Sequence, residues 1–321
     1  MEGVVAAPGV APIAVAPGVA PLDVAPGVAP VAVAPGVAPV RAALICNPRS
    51  GALSRLDDPV AALQGAITAA GFQLVPVSHG GGDLEAQWHE AMAGGATLVF
   101  AAGGDGTLRA LAGMALRDDV TLALLPGGTM NRVCARLGVT LDPVSSIALY
   151  HPGEETRLDV GLANGEVFLF ESLLGAPARL LRFREMQRGG GWLGWLPLLR
   201  MAWRKLRTFD VGRVRLSLAG GERLRGSAAI VTLPAPGEPS QLAVGVTAQV
   251  SSWKRLRQAL AWFRGRLAAS PDARVLHTAR LVAISRRRLM RISLDGEMHL
   301  LPPPVRYRIA PGALRILAPR A

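Results

Sequence analysis

The stretch Phe100–Leu111 reads FAAGGDGTLRAL, an apolar run that stops at glycines and resumes with helical spacing. The residues leading into it, ATLVFAA, suit a buried parallel strand, and those leaving it, LRALAGMAL, suit a helix. A strand-to-helix turn with three glycines lets backbone approach a ligand closely, and the unpaired N–H groups of the new helix start attract an anion. A single carboxylate there, Asp105, repels a bare phosphate unless a cation stands between them. The turn therefore points to a phosphate carried with Mg²⁺, an assignment that the turn alone does not carry.

The same alternation continues on both sides. RAALIC is a short strand ending at the turn NPRSG, and DDPVAALQGAITAAG has an acidic pair, an early proline and a glycine stop, all helix signals. FQLVPVS is expected as a second strand, DLEAQWHEAMAGG as a second helix, and VTLALLPGGT as a fourth strand ending in another glycine turn. Strands alternating with helices give a parallel sheet whose ligands bind at the carboxyl ends of the strands. Those ends carry NPRSG, GGDGT and PGGTMN.

After Arg157 the texture becomes strands, with NG and GG turns and prolines near the end, as in a largely antiparallel unit. The expected fold class is α/β: an N-terminal Rossmann-like parallel-sheet domain over 41–156, then a mainly antiparallel β-sandwich domain over 157–321. Two amphipathic stripes interrupt the second unit. One carries Trp195, Leu199, Ala202, Leu206 and Phe209, with Arg200, Arg204 and Lys205 off the face; the other carries Trp253, Leu256, Leu260, Phe263 and Leu267. Their bland reading is helices packed on the sandwich; their functional reading is a membrane-facing surface. Residues 1–40 are a nine-residue repeat built on APGVAP, in which regular proline and glycine forbid a helix, so an extended, mostly disordered tail is expected.

The net charge is +12, carried by 33 Arg and only two Lys, which implies an anionic partner. Aromatics on amphipathic stripes favour a membrane surface over nucleic acid. Cys46 and Cys134 do not make a disulfide scaffold and fit a reducing, cytoplasmic setting, as buried small hydrophobes. The five His show no metal-ligand spacing. No Walker-type G-x-x-x-x-G-K-[ST] is present, and no G-x-G-x-x-G follows a strand. HGGG at 79–82 looks like an esterase oxyanion loop, but no G-x-S-x-G nucleophile elbow accompanies it.

NPRSG, GGDGT, LPGGTMNRVCARLGV and LDGE, in that order, resemble the diacylglycerol kinase catalytic-domain family, over Arg41 to about Arg320. The family includes bacterial lipid kinases and sphingosine and ceramide kinases. The resemblance implies a two-domain kinase with ATP and Mg²⁺ in the interdomain cleft, a lipid substrate bound by the sandwich domain, and a last strand returning to the first domain. It implies nucleotide contacts from Asn47, Ser50 and Gly51, from Gly103, Gly104, Asp105, Gly106 and Thr107, and from Gly128, Thr129 and Asn131. Asp105 would hold the metal, and Glu297, accompanied by Asp295, would take the proton of the lipid hydroxyl. These residue types suit phosphoryl transfer, which needs the γ-phosphate positioned, its charge neutralised and the alcohol's proton accepted. In isolation, Asp-Gly before Glu297 also reads as a plain hairpin turn.

The chain departs from the family at several places. Arg109-Ala110 stands where relatives carry Asn-Glu, Arg132 stands where an acidic residue follows Asn131, GAPAR replaces GFDA, and PGEPSQLAVGV replaces a segment with a metal-binding DG. Lost acidic positions weigh against an auxiliary metal site. The expectation is an ATP-dependent, cytoplasmic lipid kinase bound peripherally to anionic membrane. The alternatives are a catalytically impaired homologue that binds nucleotide and membrane, or a kinase for a soluble alcohol.

Overall fold

The computed structural model describes residues 40–79, 83–140, 142–175, 214–226, 228–247, 273–285 and 288–320. The nine-residue repeat, both tryptophan stripes, most of GAPAR and the glycines of HGGG lie outside the described residues.

The first half is built of strand–helix units: β1 (Arg41–Cys46), α1 (Pro59–Ala69), β2 (Gln73–Leu74), α2 (Leu84–Ala93), β3 (Leu98–Gly103), α3 (Asp105–Asp118), β4 (Thr121–Pro126) and the short α4 (Arg132–Arg136). The strands pair in the order β2-β1-β3-β4, every pair parallel. β3 and β4 are buried along their whole length, as apolar strands covered on both faces should be. At the start of α1 the Asp58 carboxylate accepts from Ala61 N–H at 3.0 Å and Pro59 occupies the first turn, where its missing N–H costs nothing. α3 buries Leu108, Leu111, Ala112 and Ala115, a stripe at helical spacing. The strand expected over FQLVPVS shrinks to Gln73–Leu74. It lies at the sheet edge, and Pro76 has no N–H with which to extend the ladder.

The second half holds β5 (Glu155–Ala163), β6 (Glu166–Phe168), β7 (Glu171–Gly175), β8 (Val214–Leu218), β9 (Arg223–Gly226), β10 (Ala228–Thr232), β11 (Leu242–Thr247) and β12 (Ala273–Thr278). β13 (Arg280–Ile284), β14 (Met290–Leu294), β15 (Glu297–Leu301) and β16 (Val305–Leu317) follow. Asn164-Gly165 and Asp295-Gly296, each with both φ angles positive, close two-residue hairpins β5–β6 and β14–β15.

β16 joins the two halves. One edge pairs antiparallel with β5 from Tyr307 to Leu317; the other meets β13 at Val305–Arg308 and β4 at Ile316. An irregularity between Ala310 and Leu314 lets the strand turn from one neighbour set to the other. One ten-stranded sheet therefore runs through both halves, and a separate six-stranded antiparallel sheet has the order β12-β11-β10-β7-β14-β15. Leu216, Leu281, Val305 and Tyr307 from the first sheet pack with Leu174, Val231, Val244 and Ile292 from the second, making the sandwich core. Each such side chain contributes roughly 1.5–3 kcal/mol on burial. The Tyr307 hydroxyl, buried among them, is partnered by Ser172 Oγ at 3.0 Å.

Candidate active site

Three turns meet at the carboxyl ends of β1, β3 and β4, and they meet through backbone. Gly127 N–H donates to Gly103 O at 2.9 Å and Ala52 N–H to Gly127 O at 2.9 Å. A Cβ on Gly127 would sit 2.8 Å from the Gly103 backbone, and one on Gly128 would sit 2.5 Å from Gly104 Cα. Thr107 folds back over Gly103, and Thr129 Oγ1 lies 2.6 Å from where a Cβ of Gly51 would be. The glycines thus serve first to let the turns touch one another.

Polar side chains then fix the turn shapes. Asn47 Oδ1 accepts from Arg49 N–H at 3.2 Å, and Ser50 N–H donates to Asn47 O at 2.9 Å. Asn131 adopts a left-handed φ of 48° and its Oδ1 accepts from Gly128 N–H at 2.7 Å. Asp105 Oδ1 accepts from Val133 N–H at 3.0 Å, tying the start of α3 to the first turn of α4. The N–H groups of Asp105, Gly106 and Thr107, at the first turn of α3, have no intrahelical acceptor and form the anion-attracting end of that helix.

Glu297 reaches this turn from the far end of the chain. Its Oε1 lies 1.9 Å from where a Cβ of Gly106 would stand, so the missing side chain at 106 is what admits the carboxyl. Arg109 Nη2 donates to Glu297 Oε2 at 2.7 Å, and Arg109 Nη1 stands 3.9 Å from Glu166 Oε2. The arginine side chain is 12% exposed, and its Nε is buried without an acceptor among the described residues. Two positions along β15, His299 keeps a buried Nε2 likewise without a partner among the described residues. Burial, then the nearby Arg109 charge, hold that imidazole below its ordinary pKa.

Asp295 sits behind this constellation. It is buried, its carboxyl accepts from Leu169, Phe170 and Glu171 N–H at 2.6, 2.8 and 2.9 Å, and its own N–H donates to Glu171 O at 2.8 Å. Burial pushes its carboxyl up to about 6, against three N–H bonds that favour the ionised form. The structure makes Asp295 the anchor of the β6–β7 turn and of the hairpin that presents Glu297. Asp-Gly is therefore a hairpin turn and also the device that aims the glutamate.

Sequence reading missed the arginines as a connected set. Arg132 pairs with Glu171 and lies over the Phe170 ring, 5.1 Å from its centroid. Arg136 donates to Pro234 O from Nε (3.1 Å) and Nη2 (2.6 Å) and to Leu169 O from Nη1 (2.6 Å), joining α4 to the sandwich. Arg109 and Arg132 were visible as departures; nothing in sequence singled out Arg136. Cys46 and Cys134 are buried, and burial pushes the Cys46 thiol up to about 11 and raises that of Cys134 as well, which disfavours the reactive thiolate.

No group of three or more His, Cys, Asp or Glu able to hold a metal occurs among the described residues. Asp105 has one oxygen committed to Val133. One carboxylate fits Mg²⁺ carried on nucleotide phosphates, which needs only one or two protein carboxylates, and does not fit an all-protein metal cage.

Residues 41–163 match the diacylglycerol kinase catalytic domain. A protein of Pseudomonas fluorescens named "Probable lipid kinase YegS-like" is 31% identical over 307 residues, covering 82% of this chain and 92% of that protein. A relative of the same name from Pseudomonas aeruginosa strain UCBPP-PA14 is 36% identical over 116 residues, and that match spans only 38% of the relative's length. Among solved structures, a diacylglycerol kinase from Bacillus anthracis aligns over 87% of this chain and 97% of its own, with a TM-score of 0.60 at 18% identity, a likeness of fold.

Proposed function

We propose, from the premise that this chain belongs to the family of lipid kinases built on the diacylglycerol kinase catalytic domain, that it transfers the γ-phosphoryl group of ATP to the hydroxyl of a diacylglycerol-like or sphingoid lipid. The observation that carries this reading is the Glu297 carboxyl resting on Gly106, one residue into α3, whose free N–H groups form an anion-attracting end.

In this reading the turns at Asn47–Gly51, Gly103–Thr107 and Gly128–Asn131 hold the nucleotide between the two halves of the fold. Asp105, together with the nucleotide phosphates, would hold Mg²⁺, which would supply neutralisation of the phosphate charge. Free N–H groups of α3 orient the γ-phosphate. The lipid hydroxyl oxygen attacks phosphorus, the bond to ADP breaks, and Glu297 accepts the hydroxyl proton. The lipid is met at an anionic membrane surface on which the protein docks peripherally from the cytoplasm.

One observation favours a second reading, a catalytically impaired homologue. Arg109 holds the Glu297 carboxyl that the reaction needs free for a proton.

Transfer of radiolabel from ATP into a panel of extracted lipids separates the two. Under the first reading the wild type labels a lipid, and Glu297→Gln lowers the rate by on the order of 10²–10⁴-fold with ATP affinity kept. An equal loss of ATP affinity would make Glu297 a structural residue. A wild type that binds ATP without turnover, and gains transfer on Arg109→Asn, would establish the second.

A further inference from the structure

Strands β16, β13, β8 and β9 lie side by side in that order, and none of them contains an Asp or Glu. Their inward residues, Val305, Tyr307, Leu281, Ala283, Leu216, Leu218 and Leu224, belong to the sandwich core. Alternation sends the intervening residues to the opposite face. That face carries Arg306 and Arg308 of β16, Arg280 of β13, Arg215 of β8, and Arg223 and Arg225 of β9. All but the half-buried Arg215 are exposed. No ion pair or side-chain hydrogen bond of these six occurs among the described residues. The ladders place Arg280 directly opposite Arg308 and Arg215 directly opposite Arg225. Like charges in directly opposed positions destabilise a sheet, and here that happens twice on one face.

Protection of a sheet edge does not explain the pattern. β9 is the edge strand, and arginines there would discourage edge-to-edge association. β13 and β16 are interior strands with neighbours on both sides, yet they carry three of the six. An ordinary solvated face would mix both signs of charge, as soluble surfaces do. Six guanidinium groups on four strands that contain no carboxylate are complementary to a planar array of phosphates, which guanidinium binds bidentately.

We propose that this arginine face is the surface by which the protein docks on an anionic phospholipid membrane; the inference rests on the reading that its substrate is a lipid. Two observations favour bilayer over nucleic acid. The face interleaves its arginines with Val282 and with Ile284, 45% exposed, apolar groups suited to the interfacial region. Among the described residues it presents no outward aromatic ring for base stacking, since Tyr307 of the same strands points into the core. The face also borders the candidate site. Arg306 N–H donates to Asn164 Oδ1 at 2.8 Å, and two residues along the same hairpin Glu166 stands 3.9 Å from Arg109. Docking on this face would therefore hold the site near the plane that contains the substrate.

The test is flotation of the full chain with vesicles of phosphatidylcholine alone or of phosphatidylcholine with phosphatidylglycerol, comparing wild type with Arg223→Glu/Arg225→Glu/Arg280→Glu. Each arginine near an anionic surface is worth about a fivefold gain in partitioning, so the triple reversal should lower binding on the order of a hundredfold. Wild-type binding should need phosphatidylglycerol and weaken with salt. Melting temperature controls for folding, and it should hold or rise, because two of the reversals turn opposed like charges into opposite ones. A triple variant that floats like wild type would overturn the proposal, as would a wild type that binds duplex DNA but not the vesicles. Transfer to lipid in neutral detergent micelles should be the same in both proteins, and a loss there would mean a disturbed site and overturn the docking role. If the wild type transfers no phosphoryl group at all but the reversal still abolishes flotation, the surface stands and only the kinase reading falls.

Discussion

At Gly106 the absence of a Cβ is what lets a carboxyl from a residue far along the chain rest on the start of α3. A methyl group there would stand 1.9 Å from Glu297 Oε1, but that atom ends a flexible side chain that is half exposed, so the fold can yield. Gly106→Ala should therefore displace the carboxyl without unfolding the protein: transfer falls as in Glu297→Gln, while the melting temperature moves little. Steady-state kinetics beside a thermal melt decide it, and unchanged turnover would mean that the observed carboxyl position is not the reactive one. The residues that sequence alone could nominate are those whose chemistry is local. Asn47 and Asn131 shape turns from within a few positions of themselves, and turn chemistry is written in contiguous residues. Arg109 and Glu297 are 188 positions apart, so their pairing depends on the folded chain and left only one trace, an arginine where relatives carry another residue.

α4 shows how much a five-residue helix can hold. Its first turn is capped by Asp105 from α3, and its last residue, Arg136, spreads three hydrogen bonds over Leu169 O and Pro234 O of the sandwich. Burial pulls the Arg136 pKa down, yet an arginine so placed remains charged. Arg136→Ala would leave two carbonyl groups without their donor, costing about 2–4 kcal/mol. The expected fall in melting temperature is on the order of 5–10 °C. Arg136→Lys should recover only part of it, because an ammonium group cannot fork between two acceptors as guanidinium does. An alanine variant as stable as wild type would refute this account. Elements became legible in proportion to their length and their burial on both faces. β1, β3 and β4 are continuous apolar runs and stand where the sequence puts them, whereas β2 is a two-residue edge strand cut short by Pro76.

In the molecule as a whole, β16 makes the two layers interdependent. Composition suggests a change of architecture near position 157, but β5 runs unbroken from Glu155 to Ala163, and its partners are β16 along most of its length and β6 at its end. β16 also contributes Leu314, Ile316 and Leu317 to the core beneath the parallel sheet, although these are among the last residues of the chain. Residues 41–163, the span matching the catalytic domain, contain neither β16 nor β6. Expressed alone, that span would leave β5 with no hydrogen-bonding partner, β4 with one bare edge, and the core open where those three side chains pack. The exposed backbone and apolar surface would together cost more than the few kcal/mol of margin typical of a domain. The fragment should therefore show no cooperative thermal transition and should aggregate, whereas the full chain should unfold with both layers together. Circular dichroism melts of the two proteins test this directly. A cooperatively folding 41–163 fragment would show that the parallel sheet closes without its last strand, and that the two halves of this chain fold as separate bodies.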